Sequence, residues 1–342
     1  MNIVKNLLII GAGATYAEAQ ELGVTEEQSP PLIKNFISKL WKERFPLSLK
    51  KNGLLTEYIS IIKQKNSACY NEAKDISDLF IRLEKEGSIN IEKFFAFAWK
   101  RRNLYPEEYE NILYNGIFMA LTDMIILYIL TNKDIREKYK FIDIEPGSWP
   151  FPPLKLSNII GNYLNDNDAV LNLNYDTFFE IGLKQIGKDF IYLPFHKPDK
   201  NKITIIKPHG SFNFFEEKGG NKAWVSPTLF NQSQPNNNSK NYLTFIPPML
   251  GKNFEQHPLS RAIIEAIPFN YPLNLIFWGV GFTESDVNLI NMYKKWANMS
   301  RKVSFINPDK KVSSNFKKNI GGNVFRYDNV NNFITNKGIE VL

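Results

Sequence analysis

Several short stretches of this chain place polar or glycine residues directly after apolar runs, where chemistry at a sheet edge is done. Gly11-Ala12-Gly13-Ala14-Thr15 follows Leu7-Leu8-Ile9-Ile10. Glycines lack a β-carbon, so such a turn can be tight and its amides can approach a pyrophosphate at a helix N-terminus. The third glycine of the dinucleotide fingerprint is missing, since Tyr16 or Ala17 stands where it would fall. The same turn equally serves an α/β protein with no nucleotide. Asn172-Leu173-Asn174-Tyr175-Asp176-Thr177 follows a second apolar run. Asn174 and Asp176 can face a cleft and hold ribose hydroxyls or a water, or they can close the strand as an Asx turn.

Lys207-Pro208-His209-Gly210-Ser211 follows Ile203–Ile206, and His209 is the one of 3 histidines set at a strand end beside a glycine. A neutral imidazole there can take a proton from a hydroxyl or water near neutral pH. His196 and His257 lie near prolines in loops, with no spacing that makes a metal site of the three. Gly279-Val280-Gly281-Phe282-Thr283-Glu284-Ser285-Asp286 follows another apolar strand and again permits close approach, with Asp286 suited to starting a helix. Asn307, after Phe305-Ile306, offers an amide to a ribose or an adenine edge.

The elements that must position these residues read as an α/β fold, a Rossmann-like parallel sheet with helices on both faces, interrupted by an all-helical insertion. Strands are expected at Leu7–Ile10, Ala169–Leu173, Phe190–Leu193, Ile203–Ile206, Leu273–Trp278 and Val303–Ile306, short and rich in β-branched or aromatic residues. Tyr16–Leu22 is expected to be helical, and Ser29-Pro30-Pro31 ends regular structure. From Leu32 to about Lys140 the apolar spacing turns helical: Ile76, Leu79, Phe80 and Leu83 share one face, as do Ile91, Phe94, Phe95 and Ala98. Pro106-Glu107-Glu108 suits a helix start, and Ile117–Leu130 a buried helix. The division is therefore 1–31 for the first βα unit, 32–150 for the insertion and 151–342 for the rest of the sheet domain. Asn231–Ser239 is too polar to pack and reads as a surface loop.

Composition bounds the function classes. The +7 charge, from 42 Lys and Arg against 35 Asp and Glu, is spread along the chain, so it reads as solvation and gives little support to direct nucleic-acid binding. A single cysteine, Cys69, excludes an intrachain disulfide and a multi-thiolate zinc site. With no signal-peptide pattern and no apolar run of the length that a bilayer requires, a cytoplasmic protein without membrane contact is expected.

The order G-A-G-A-T, N-Y-D, H-G-S, G-V-G-F-x-x-x-D and I-N-P resembles the sirtuin family, in particular the sirtuin-like NAD-cleaving proteins of bacterial antiviral defence. Phe245-Ile246-Pro247-Pro248 with Lys252 is similar to the I-P-P-x-x-x-K element of that branch. The resemblance covers the first βα unit and the part from about Phe151 onward, not the insertion. It implies NAD as substrate, with Gly11, Ala12, Gly13, Ala14 and Thr15 lining the pyrophosphate and ribose. Asn174 would position the nicotinamide ribose and a water, Asp176 would be the acidic residue beside it and His209 the general base. Gly279, Gly281 and Asn307 would meet the adenosine half, and Tyr175 and Ser211 fall within the same cofactor-binding motifs. Sirtuin deacylases carry a four-cysteine zinc module and a G-I-P-D-F-R segment; both are absent here, which disfavours protein deacylation and ADP-ribosyl transfer and implies no zinc or other metal. The expected activity is cleavage of NAD to nicotinamide and ADP-ribose in anti-phage abortive infection. Control is expected through a homo-oligomer, a partner ATPase or a phage-derived trigger, with the helical insertion as the regulatory part. A module that binds NAD or ADP-ribose without cutting it is the alternative.

Overall fold

A computed structural model describes residues 3–32, 35–43, 53–112, 122, 126, 128–144, 149–217, 222–226, 241–246, 258–281, 287–321 and 324–336. Two compact units make up the chain: an α/β unit of Met1–Val24, Asn132–Ile246 and Asn253–Leu342, and a helical unit that includes Thr25–Thr131. The helical unit thus runs from Thr25 to Thr131, where the sequence pattern placed the insertion at 32–150, and the short helix Lys133–Lys138 falls in the α/β unit.

The α/β unit is built on seven parallel strands: β1 (Ile3–Ile10), β2 (Ala169–Asn172), β3 (Phe190–Leu193), β4 (Ile203–Ile206), β8 (Tyr271–Trp278), β9 (Lys302–Ile306) and β10 (Val324–Tyr327). Their order is β10-β9-β8-β1-β2-β4-β3. The chain runs from β1 to β2 on one side and later returns with β8 on the other, so the strand order reverses between β1 and β8. Such a switch point opens ligand crevices beyond the carboxyl ends of the strands. Register brings those ends level. Ile10 pairs with Asn172 and Trp278, Trp278 with Ile306, and Leu171 with Ile206. The segments singled out in the sequence therefore leave the sheet at one edge.

Successive side chains of a strand point to opposite faces, and β8 shows what covers each. Phe277 packs on Tyr293 of a helix at Val287–Met299 and on Phe316 of a helix at Lys310–Ile320, with ring centroids 5.3 and 4.6 Å away. Its neighbour Trp278 meets Phe179 on the other face, 6.4 Å away. With helices on both faces, β1 and β2 are buried almost throughout, which is why their sequences read as unbroken aliphatic runs. Helix α1 (Ala12–Glu21) begins directly after Gly11, four residues earlier than the expected Tyr16.

A second, antiparallel sheet of β5 (Gly210–Glu217), β6 (Ala223–Val225) and β7 (Asn241–Phe245) follows β4 in order β6-β5-β7 and was not foreseen from the sequence, nor was β10. At the amino end of the main sheet, Asp168 accepts hydrogen bonds from Asn6 N (3.0 Å), Asn6 Nδ2 (2.9 Å) and Asn165 N (2.8 Å). Asn274 Nδ2 in turn donates to Asn6 Oδ1 at 2.9 Å. This buried polar clasp ties β8, β1 and the approach to β2 at the end away from the site.

The helical unit packs Tyr58 against Phe94, Phe97 and Phe80, with centroids 5.1, 4.9 and 6.2 Å apart. Leu79, Phe80 and Leu83 are buried, as are Ile91, Phe94, Phe95 and Ala98. Ile76 departs from the expected face: it is 42% exposed, at the first helical position after the Asp75 cap. Pro106 does start a helix, Pro106–Asn111. Glutamates cap helix starts across the fold. Glu84 accepts from Ile37 N and Ser38 N, both at 2.9 Å, and Glu108 from Gly53 N (3.0 Å) and Leu54 N (2.9 Å). Such carboxylates satisfy amides that have no partner within their own helix. Most of Ile117–Leu130 lies outside the described residues, as do Asn231–Ser239, His257, Pro247, Pro248, Lys252 and Phe282–Asp286. No described helix is long and apolar enough to cross a membrane.

Replacing Asp168 by Ala leaves the two buried donors of Asn6 without their acceptor, so Asp168→Ala is expected to lower unfolding stability by about 3 kcal/mol. Urea denaturation of parent and variant checks it, and the midpoint should fall without a change in slope.

Candidate active site

Gly11 and Gly13 meet the loop after β8 at main-chain distance. Gly11 N donates to Trp278 O at 3.0 Å and Gly13 N to Gly279 O at 2.9 Å. A Cβ on Gly11 would stand 2.7 Å from Gly279 O, and one on Gly279 would stand 2.1 Å from Ala14 N. Gly279 also has φ +64°, in the left-handed region. These glycines therefore serve first to let two loops touch at the switch point. The expected amide approach to a ligand falls to Ala12, which is exposed at the start of α1, a helix with no acidic residue in its first turn.

From this bend the rim is built outward. Asn174 Nδ2 donates to Gly11 O (3.1 Å) and to Thr15 Oγ1 (2.9 Å), which leaves Oδ1 as the accepting atom of the amide. Thr15 Oγ1 donates to Asp176 Oδ2 at 2.9 Å, and Phe178 N to Asp176 Oδ1 at 3.0 Å. Asp176 is thus fixed from the first turns of α1 and from the start of helix α2 (Phe178–Gln185). His209 Nδ1 lies 3.1 Å from Leu173 O. A carbonyl can only accept, so Nδ1 carries the proton and Nε2 is the basic nitrogen. The imidazole accordingly sits against the peptide that joins Leu173 to Asn174, and the two residues are neighbours at the sheet edge although far apart in sequence.

Tyr175 and Ser211 fasten this rim. Ser211 Oγ donates to Tyr175 O (3.1 Å), Tyr175 OH donates to Ile246 O (2.5 Å), and the Tyr175 ring stacks on Phe212 with centroids 6.0 Å apart. Asn307 lies further along the edge. Its Nδ2 donates to Val280 O at 3.4 Å and its Oδ1 accepts from Asp309 N at 2.9 Å, so it joins the loops after β8 and β9. Gly281 is exposed beside it. The structure therefore brings Gly11, Thr15, Asn174, Asp176 and His209 together and places Asn307 and Gly281 at the opposite end of the same edge. Five adjacent strands, β9 to β4, separate the ends of this row, about 19 Å at the usual strand spacing.

Other residues here carried no role in the sequence. Glu18 of α1 lies across from the helix at Lys155–Tyr163 and accepts from Leu156 N (3.1 Å), Ser157 N (2.7 Å) and Ser157 Oγ (2.8 Å). Burial pushes its carboxyl up to about 7. Glu180 and Lys207 form a fully buried ion pair of 3.1 Å. Burial raises Asp176 and Glu180 above the ordinary carboxylate range, and the Lys207 cation opposes that rise in both. The only sequence signal for Glu180 and Lys207 is a charge set in an apolar run, Phe178-Phe179-Glu180-Ile181 and Ile205-Ile206-Lys207. Thr15, Glu18, Ser157, Asn172, Asn174 and Asp176 provide the polar lining of a void of about 10 Å³, room for one water rather than for a sugar. Among the described residues, no group of three or more His, Cys, Asp or Glu side chains is placed to hold a metal ion.

No protein-family model matches the chain, and no curated protein matches it in sequence. What the fold and edge define is an α/β protein with a Rossmann-like parallel sheet and a polar rim at its switch point.

Two outcomes are expected. Gly279→Ala forces a Cβ into the Ala14 backbone at a left-handed residue, and should destabilise the chain by about 3 kcal/mol or more in denaturant titration. For Glu18, the folded value near 7 exceeds its ordinary 4.5, so its contribution is complete below pH 4.5 and is lost as pH rises through 7. The loss amounts to about 3 kcal/mol. Thermal melts between pH 5 and 8 should fall with pH, and Glu18→Gln should flatten that fall; an unchanged slope in the variant would remove Glu18 as its source.

Proposed function

We propose that this chain hydrolyses NAD at its N-glycosidic bond, releasing nicotinamide and ADP-ribose. The observation that carries the reading is the pairing at the rim of a proton acceptor with a fixed amide. His209 Nδ1 is held by Leu173 O, which leaves Nε2 as base, and the next residue, Asn174, is fixed through Nδ2 with Oδ1 left to accept. Binding alone requires neither a base nor a fixed amide.

The chemistry follows from the leaving group. Nicotinamide in NAD is already a cation, so the C–N electron pair departs with it and no general acid is needed. Positive charge develops on the ribose, and water adds to the anomeric carbon as the bond breaks. Asn174 Oδ1 orients that water or the ribose hydroxyls, His209 Nε2 takes its proton, and Asp176 holds Asn174 in place through Thr15. Orientation and preset electrostatics supply most of such a rate enhancement. The exposed start of α1 at Ala12 is the natural seat for the pyrophosphate.

By the sirtuin-like resemblance, this activity serves antiviral defence. An unrestrained NAD hydrolase drains its own cell, so control by self-assembly or a partner chain belongs to the same reading. One observation favours the second reading, a module that binds NAD or ADP-ribose uncut: the void between Asn174 and Asp176 is sized for a water and not for a ribose.

Incubation of the purified chain with NAD, following nicotinamide release, separates the two. Turnover is expected in the parent, with Asn174→Ala and His209→Ala each lowering it on the order of a hundredfold to ten-thousandfold while circular dichroism stays unchanged. Parent-like rates in either variant would refute the assignment, and ADP-ribose binding without nicotinamide release would establish the binding module.

A further inference from the structure

Lys207 directly follows β4 with its side chain wholly buried, and it reaches two places. Nζ donates to the main-chain carbonyl of Asp176 at 2.6 Å and to Glu180 Oε1 at 3.1 Å. The Glu180 carboxylate also accepts from Asn172 Nδ2, at 3.3 and 3.1 Å to its two oxygens, and Asn172 Oδ1 accepts from Asn174 N at 3.0 Å. One cation therefore grips both ends of the segment that carries the site amide: Asp176 directly, Asn174 through Glu180 and Asn172. The same residue opens the turn that bears His209, with Gly210 N donating to Lys207 O at 2.9 Å.

Stability is a poor reason for such a pair. Removing two charges from water generally offsets what their attraction returns, and apolar residues of like size are often as stable or more so. Geometry is the better reason. We infer that Lys207 and Glu180 are positioning residues, a buried ion pair that sets Asn174 against His209 without touching substrate. The inference rests on the proposed NAD cleavage for its kinetic consequence and on the hydrogen-bond chain for its structural one.

The test is the double variant Lys207→Met with Glu180→Leu, which removes both charges together and so leaves neither buried alone. Its melting temperature should stay within a few degrees of the parent. KM for NAD should stay within about threefold while kcat falls on the order of a hundredfold, the effect of an ångström-scale misplacement. Lys207→Met with Glu180→Gln, which restores an acceptor for Asn172, should recover part of that loss. Parent-like kcat in the Leu variant, or a loss confined to KM, would overturn the inference. If that variant does not fold, Asn172→Ala cuts the same chain between Glu180 and Asn174 and carries the same expectation. Should the parent cleave no NAD, the proposed reaction falls but the positioning role is still decided by the ¹⁵N-labelled side-chain amide of Asn174. Shifted or broadened signals in the double variant support the role, and parent-like signals refute it.

Discussion

Main chain touches main chain where the loop after β8 crosses the bend after β1, and the rest of the site hangs from that contact. The approach is possible only because Gly11, Gly13 and Gly279 present no side chain there. It fixes Gly11 O, and Gly11 O is one of the two acceptors that hold the Asn174 amide. The other, Thr15 Oγ1, lies one turn along the helix that the bend starts, and passes the constraint to Asp176. A backbone contact between β1 and β8 thus determines where a side chain after β2 points. The glycines act as spacers of zero thickness, and their amides are engaged with the neighbouring loop before any ligand arrives.

Hydrogen-bonded carboxylates in this protein differ in their partners. Glu84, Glu108 and Glu18 each accept two successive helix amides, so each neutralises an orphan helix start. Asp176 and Glu180 differ, because Lys207 Nζ donates to the Asp176 main-chain carbonyl and to the Glu180 carboxylate, and Glu180 continues through Asn172 to the segment that carries Asn174. The first group explains how helices of modest length begin without orphaned amides. In the second, Asp176 also accepts from Phe178 N at the start of α2, but the other bonds lead to the rim. Glu18 belongs to both descriptions, since its cap also lines the void beside Asn174 and Asp176.

Sequence patterning revealed the elements that are buried on both sides and little of what is not. β3 and β4 were readable to the residue, because four residues that are nearly all β-branched or aromatic, set between polar stretches, leave few alternatives. β10 escaped, for Val324-Phe325-Arg326-Tyr327 is an edge strand with two exposed residues and no apolar run. β5 escaped for another reason: it starts at Gly210 within the H-G-S stretch, so residues that read as a turn with chemistry are also the first of a strand. At the site, Asn174, Asp176 and His209 were legible because each follows a strand directly. Glu18 and Lys207 were not, since what they do depends on partners 139 and 31 residues away. Spacing rules reach only one helical turn or one strand.

Polarity along the sheet edge bears on which ligand such a rim accepts. At the β2 and β4 end, Glu180 is paired with Lys207 and burial raises both Asp176 and Glu180 above the ordinary carboxylate range, so the polarity that this end turns to the rim is that of the Asn174 amide and the His209 imidazole. At the β1 turn the exposed start of α1 adds positive amide polarity, with no carboxylate in its first turn. The proposed substrate would set its pyrophosphate at the second end and its ribose at the first. In the proposed hydrolysis the positive charge moves from the pyridinium ring to the ribose as the bond breaks. Under that proposal substrate and transition state carry the same charge, and what distinguishes them is the placement of the water, which falls to Asn174 and His209.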